Sequence, residues 1–302
     1  MIVIPITVPF PKGWGHSYGT NSYILKGDKT VLVDSGLDSQ DNREYIKKTL
    51  KELDAWKVDA ILLTHGHLDH FGLAAFVQRE TGAKIMIHAS DALALENYRN
   101  VMSWFDEVYG LAIEGGFDEQ DLKAARMQLL MVIDMMGRPD EYSTFTELDL
   151  DIGGGRLRSL NLPGHTPGSV GYVLGDSVFS GDVAIDGSTV VGELRQELAS
   201  IQKLKTFKHV YTGHRRSPVF VKDLEALEAH IANRLEQVLR VTKQGRTLKE
   251  IVDQIYGATV METNFMRKII PIRQVVSYLR YLEEEGYLAK RGARWVSFKD
   301  HL

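Results

Sequence analysis

Over its first 90 residues the chain alternates short apolar runs, bounded by turn residues, with stretches whose apolar positions recur at helical spacing. Asn21-Ser22-Tyr23-Ile24-Leu25 and Val31-Leu32-Val33 read as strands, Asp38 to Leu53 as a helix, and Ala60-Ile61-Leu62-Leu63 as a buried strand. Gly72 to Thr81 follows as a helix and Lys84-Ile85-Met86-Ile87 as a strand. Strands alternating with helices predict a mixed sheet covered by helices. Between Ser90 and Thr146 the pattern becomes helical, over Glu96 to Ala112 and Glu119 to Met136. The second of these helices carries Met127, Leu129, Leu130, Met131, Ile133, Met135 and Met136, a face expected to pack in the core; a lid or a dimer surface is the other reading. Short strands return before Leu162, Asp182 and His214. From Lys222 the chain is helical again: Thr247-Leu248-Lys249-Glu250 is a capping box opening Leu248 to Tyr256, and Pro271 to Glu285 is the next amphipathic helix. Gly286 to Phe298 then alternates about a glycine turn, as a hairpin does.

A length of 302 residues accommodates one large domain and a small one. The pattern divides them into 1–221, with a helical insertion at about 91–146, and 222–302. Apolar residues make up 44% and charged residues 25%, the balance of a soluble globular protein. No apolar run approaches the ~18 residues of a membrane span, and Met1-Ile2-Val3-Ile4-Pro5 does not resemble a signal peptide; a cytoplasmic location is expected. Cysteine is absent, which excludes disulfides, thiolate ligands and a Cys nucleophile. From Lys222 onward 14 Lys and Arg stand against 11 Asp and Glu, so the net −4 divides into −7 before that point and +3 after it. A mildly basic tail permits nucleic-acid contact without requiring it.

The most informative segment is Thr64-His65-Gly66-His67-Leu68-Asp69-His70, placed directly after the buried strand. It brings three imidazoles and a carboxylate to one edge of a sheet, and these are the donors that zinc and similar divalent ions prefer. Further donors arrive at later strand ends: His165 in Leu162-Pro163-Gly164-His165-Thr166-Pro167-Gly168, Asp182 after Ser177-Val178-Phe179-Ser180-Gly181, and His214 after Val210-Tyr211-Thr212-Gly213. Five of the ten histidines fall in these places. The glycines let the backbone turn sharply, so that the next side chain points over the sheet edge. Singly, each later piece is an ordinary turn; their order after the first run makes them a ligand set. The seven residues can form two adjacent sites, and spacing alone allows more than one partition.

With these motifs in this order, the chain resembles the metallo-β-lactamase-fold hydrolases over roughly residues 1–220. The resemblance implies an αββα sandwich, an α/β architecture of two stacked sheets with helices outside. It also implies a catalytic domain over 1–221 with one metal held by His65, His67 and His165, a second by Asp69, His70 and His214, and Asp182 bridging. Asp34, in Val33-Asp34-Ser35-Gly36, would lie near the site as a structural residue, and Asp69 would be both ligand and proton carrier. The cofactors implied are two divalent ions, zinc first, with manganese or iron as alternatives. Helix, helix, helix, hairpin over about 60 C-terminal residues is similar to the winged-helix tail of lactamase-like ribonucleases, with Arg273, Arg280, Lys290, Arg291 and Arg294 as candidate nucleic-acid contacts. The alternative for that tail is packing on the catalytic domain or pairing of subunits in a homodimer.

Two metals can hold a water between them and lower its pKa toward ~7, so the expected chemistry is hydrolysis by a metal-activated hydroxide. Three functions follow. The first is a hydrolase of a small ester or thioester, with the insertion as lid. The second is an endoribonuclease or phosphodiesterase, with the tail holding nucleic acid. The third is a ligand-binding regulatory protein on the same fold, against which the intact donor set weighs. Lactone-hydrolysing relatives carry a tyrosine three residues after the bridging aspartate, where this chain has Ile185. Arg215 reads equally as an anion contact or a solvated side chain. Trp14, His16 and Tyr18, in the glycine-rich loop, are plausible substrate contacts, and His88 reads as a structural histidine.

Overall fold

The structure is a computed structural model that describes residues 1–10, 19–96, 103–135, 137–185, 192–257 and 265–302. Trp14, His16, Tyr18 and Met136 lie outside the described residues. Six strands form the first sheet in chain order: β1 (Ile2–Val8), β2 (Thr20–Lys26), β3 (Thr30–Val33), β4 (Ala60–Leu62), β5 (Lys84–His88) and β6 (Ser143–Phe145). The β1–β2–β3 pairs are antiparallel and the β3–β4–β5–β6 pairs parallel. The second sheet comprises β7 (Asp149–Asp151), β8 (Arg156–Asn161), β9 (Val170–Leu174), β10 (Ser177–Gly181) and β11 (His209–Thr212). Its β10–β11 pair is parallel and the others antiparallel.

Strand periodicity sorts the side chains between two cores. Tyr23, Leu25, Val31, Val33 and Leu62 pack against Leu157, Val170, Tyr172 and Phe179 between the sheets. Ile24, Leu32, Ile61 and Ile85 point the other way and meet Ile46 and Leu50 of α1 (Gln40–Glu52) and Ala74 and Val77 of α3 (Ala74–Thr81). Sheets buried on both faces need helices outside, and α7 (Leu194–Leu204) and α8 (Val221–Thr242) cover the second sheet. The result is the αββα sandwich.

Several elements differ from the sequence pattern. A short helix, α2 (Leu68–Phe71), forms within the ligand run, so α3 starts at Ala74 rather than Gly72. The stretch expected to be helical to Thr146 contains α4 (Leu93–Glu96), α5 (Ser103–Glu114) and α6 (Glu119–Met135), and then supplies β6, whose three residues are too short to show a period. On α6, Leu122, Ala125 and Leu129 are buried, whereas Met127 and Met131 are 54% and 59% exposed. Of the residues expected to face the core, Leu129 is buried and Leu130 and Ile133 pack against the core, while Met127 and Met131 face outward.

At the C-terminal end, β12 (Arg246–Thr247), α9 (Leu248–Tyr256), α10 (Phe265–Glu284), β13 (Leu288–Arg291) and β14 (Arg294–Ser297) follow α8, with strand order β12-β14-β13. The capping box at α9 is present: Thr247 Oγ1 accepts from Glu250 N, and the Glu250 carboxylate accepts from Thr247 N. Pro271 lies inside α10 instead of opening it. Proline forfeits one helical hydrogen bond and crowds the preceding turn; burial of Ile269, Ile272, Val275, Val276, Leu279 and Leu282 offsets that cost. These residues share one apolar cluster with Val108 and Ala112 of α5 and Leu122 and Leu129 of α6. Arg280 pairs with Glu107, and Lys290 with Glu114, across the same junction. Among the described residues no helix is long and apolar enough to cross a membrane.

Candidate metal centre

The donors stand where strands end. After β4 the chain enters a loop fixed by the bond from Val170 N to Thr64 O. His67 then sits in extended conformation at the N-cap of α2, which puts Asp69 and His70 in that helix. Their carbonyls are held from the first sheet: Thr20 Oγ1 donates to Asp69 O (2.8 Å), and Ser35 N and Oγ donate to His70 O (2.7 and 3.0 Å). The His165 loop is held by α7, through Ser200 Oγ to Pro163 O (2.7 Å) and Glu193 N to Gly164 O (2.8 Å). Gly181, before Asp182, has φ +56°, and a Cβ there would lie 2.4 Å from Thr64 Oγ1. Gly213, before His214, is needed for room rather than for a turn: a Cβ would stand 2.2 Å from Asp182 Oδ1.

All seven sequence-derived candidates come together, in two groups. His65, His67, His165 and Asp182 form one; Asp69, His70 and His214 form the other; within each group the donor atoms lie within 4.8 Å of one another. In the first, His67 Nδ1 is 3.0 Å from His65 Nε2 and 2.9 Å from His165 Nε2. In the second, His214 Nε2 is 3.3 Å from His70 Nε2 and 3.1 Å from Asp69 Oδ2. Asp182 reaches both groups, with Oδ1 3.1 Å from His70 Nε2 and Oδ2 3.3 Å from His214 Nε2 and 3.6 Å from His165 Nε2.

This donor set fits metal ions. Nitrogens bound at ~2.0–2.1 Å to one tetrahedral ion stand about 3.3 Å apart, close to the spacings above. The outward ring nitrogens are already engaged: His70 Nδ1 with Asp34 Oδ2 (2.8 Å), His214 Nδ1 with Gly19 O (2.9 Å) and His65 Nδ1 with Thr64 Oγ1 (3.0 Å). Such bonds fix ring orientation and leave the inward nitrogen as the donor. Asp182 Oδ1, fully buried, has no hydrogen-bond partner of proper geometry.

Electrostatics separate the two groups in the metal-free protein. Burial, followed by the like charges of neighbouring histidines, holds His65 well below the usual imidazole range. Burial together with His165 and Arg273 does the same to His67. Burial depresses His165 to about 4, against the pull of Asp182. At His70 burial opposes the charge, yet Asp182, Asp34 and Asp69 outweigh it and raise the pKa well above the ordinary value. His214 is raised to about 10 by Asp182 and Asp69 against the same burial. Burial works against ionisation of Asp69 too, but His70 and His214 hold it down at about 2.

Two carboxylates give the loops their shape. Asp34, with φ +56°, accepts Thr64 N and Oγ1 as well as His70 Nδ1, each at 2.8 Å. Asp91 was not visible as a site residue in sequence. Buried to 6% exposure, it accepts Gly66 N (2.8 Å), Thr166 Oγ1 (2.7 Å) and Gly168 N (2.8 Å), and so ties the His65–His67 loop to the His165 loop. Its only signal in sequence is an acidic residue beside an apolar helical start. His88 is structural: its Nδ1 accepts from Ser90 N, and its ring meets Phe145 edge-on. Arg215 is exposed beside His214, with φ +60°.

Stacked sheets with a His/Asp cluster at their edges define a metal-dependent hydrolase. The chain belongs to the metallo-beta-lactamase superfamily, whose family model matches residues 18–218. Among curated relatives it is 28% identical over 204 residues to a probable metallo-hydrolase of Bacillus subtilis (strain 168), covering 64% of this chain and 82% of that protein. It is 26% identical over 208 residues to a probable polyketide biosynthesis zinc-dependent hydrolase of Bacillus velezensis, covering 66% of this chain and 75% of the relative. In fold it is similar to a metallo-beta-lactamase family protein of Thermus thermophilus, with TM-score 0.81, 23% identity and 98% of each chain covered. A beta-lactamase domain protein of Burkholderia ambifaria gives TM-score 0.82 at 19% identity, over 98% of this chain and 92% of that one.

Proposed function

We propose that the protein is a dinuclear hydrolase of small esters or thioesters, with His65, His67 and His165 on one metal, Asp69, His70 and His214 on the other, and Asp182 between them. The observation that carries this reading is the convergence of seven buried or half-buried donors in two groups sharing Asp182. Two divalent ions held there would supply an acidified water and a Lewis acid for the scissile carbonyl; zinc is favoured, in line with the relative named as zinc-dependent. Asp69 is the proton-handling residue. It is less enclosed than Asp182, with 23% of its side chain exposed against 7%, so it faces the side from which a substrate enters. With its carboxylate ionised, it takes the proton of the attacking water and returns it to the leaving group. Asp34 keeps His70 oriented throughout.

We read the C-terminal helices and hairpin as a winged-helix-like unit that packs on the catalytic part. Of its proposed nucleic-acid contacts, Arg280 is paired with Glu107, Lys290 with Glu114 and Arg294 with Glu250. These surface pairs draw cations of the unit toward neighbouring carboxylates, which favours the small-molecule reading over the ribonuclease one. The test is a screen of zinc-, manganese- and iron-loaded protein against acyl thioesters, aryl esters, phosphodiesters and short RNA. Turnover of esters or thioesters that Asp69→Asn abolishes is expected. RNA cleavage, with RNA affinity that falls steeply with salt and on charge reversal of Lys290 and Arg291, would overturn it.

A further inference from the structure

The C-terminal unit lies outside the segment that the family model matches, which ends at 218, yet one of its side chains is tied to a ligand loop. Ser277 of α10, only 5% exposed, donates from Oγ to Gly192 O (2.8 Å). Gly192 rests directly on the loop that carries His165: a Cβ built on it would stand 1.9 Å from Gly164 O and 2.7 Å from His165 O. Neighbouring Glu193 N donates to Gly164 O (2.8 Å). Gly164, at φ +135°, has no room of its own, since its Cβ would meet Glu197 N at 2.4 Å and Glu197 Cα at 2.5 Å. Residues 192–197 therefore close on the backbone of Gly164 and His165, and Ser277 holds the start of that segment in place.

His165 depends on this support more than the other histidines do. His65, His70 and His214 have their outward ring nitrogens engaged by Thr64, Asp34 and Gly19, whereas among the described residues no such bond forms at His165 Nδ1. A ligand ring without a partner of its own takes its place from the backbone that carries it. Asp91 holds that loop beyond the histidine, at Thr166 and Gly168; the segment under Ser277 holds it at Gly164 and His165. The other link between α10 and α7, from Arg195 to Glu284 and Glu285, lies at the surface, where ion pairs contribute little. Resting on the dinuclear reading above, we propose that Ser277 is a positioning residue for the His65/His67/His165 group: acting through Gly192, it fixes where His165 presents Nε2 to the metal. The C-terminal unit then takes part in building the centre, and does more than pack beside it.

The test uses full-length protein and compares Ser277→Thr with Ser277→Val. The two side chains have one shape and the same β-branched cost in a helix, so their difference reads the hydroxyl alone. In the metal-free protein, hydrogen exchange at Glu193 N–H, whose acceptor is Gly164 O, should be about 3–10-fold faster in the valine variant than in the threonine one, the worth of one hydrogen bond. Zinc uptake in competition with a chromogenic chelator should show the same split: one of two equivalents weakens by about 3–10-fold in Ser277→Val and is recovered in Ser277→Thr. On a His165→Ala background that difference should vanish, because the arm through which Ser277 acts is gone. Arg195→Gln should alter neither exchange nor uptake. Equal exchange or equal zinc affinity in the threonine and valine variants, or a difference that persists undiminished with His165→Ala, would overturn the proposal. Failure of the dinuclear reading looks different: the parent takes up fewer than two zinc ions while the exchange difference between threonine and valine persists.

Discussion

Asp91 offers the sharpest test of how the centre is held, because it touches none of the proposed metals. Asp91→Ala removes an acceptor from Gly66 N, Gly168 N and Thr166 Oγ1 at once. The threonine hydroxyl has another partner in Ser169 Oγ at 2.8 Å, whereas the bonds to Asp91 are the ones described for the two backbone N–H groups. A buried donor left without a partner costs about 1–3 kcal/mol. Two such donors, less the relief of no longer burying a carboxylate, give a loss of about 2–4 kcal/mol. Asp91→Asn should fall between parent and alanine: its carbonyl can still accept Gly66 N and Thr166 Oγ1, while its amide would face the Gly168 N–H, donor against donor. The same loops carry His65, His67 and His165, so metal affinity in that group should drop about 10–100-fold. His70 and His214, oriented by Asp34 and Gly19, should keep theirs. Urea unfolding of the metal-free protein measures the first quantity, and competition with a chromogenic chelator the second. Parent-like stability in Asp91→Ala, or equal loss of both metals, would refute the account.

Three further outcomes follow from the site. Asp69→Asn should lower kcat by at least about 100-fold with an unchanged circular dichroism spectrum, since general acid–base catalysis is worth about 100–10,000-fold; undiminished turnover places the proton transfer elsewhere. Gly213→Ala should reduce metal content, because its Cβ would meet Asp182 Oδ1 at 2.2 Å and His70 Cε1 at 2.7 Å; full loading on elemental analysis contradicts this. Metal uptake near pH 7 should release protons mainly from the Asp69/His70/His214 group, because neighbouring carboxylates raise the pKa of His70 and His214 whereas burial lowers that of His65, His67 and His165. Affinity of the Asp69/His70/His214 group should therefore rise with pH toward about 10, while that of the His65/His67/His165 group stays flat above the ordinary imidazole pKa of ~6.5. Calorimetry in buffers of different ionisation enthalpy measures the release, and proton-silent filling of both groups would refute the assignment.

Element types and donor identities were legible in the sequence because both are local. A strand buried on both faces, such as Ile61-Leu62-Leu63, announces itself as an apolar run, and His65, His67, Asp69 and His70 follow it within a few residues. Thr247 and Glu250 mark a helix start for the same reason. Helix α2 was hidden in the ligand run, and β6 was hidden in a stretch read as helical, since neither is long enough to show a period. What only the tertiary structure decided is which distant segments meet. His67 and His165 stand 98 residues apart in the chain, and His70 and His214 stand 144 apart. Two of the three donors to Asp91 are backbone N–H groups, which every residue but proline carries, so they leave no trace in residue type. Arg280 and Lys290 read in sequence as tail cations; packing of the C-terminal elements on α5 pairs them with Glu107 and Glu114. Long-range docking depends on complementary apolar faces closing over a whole core, and no window of the chain contains both faces.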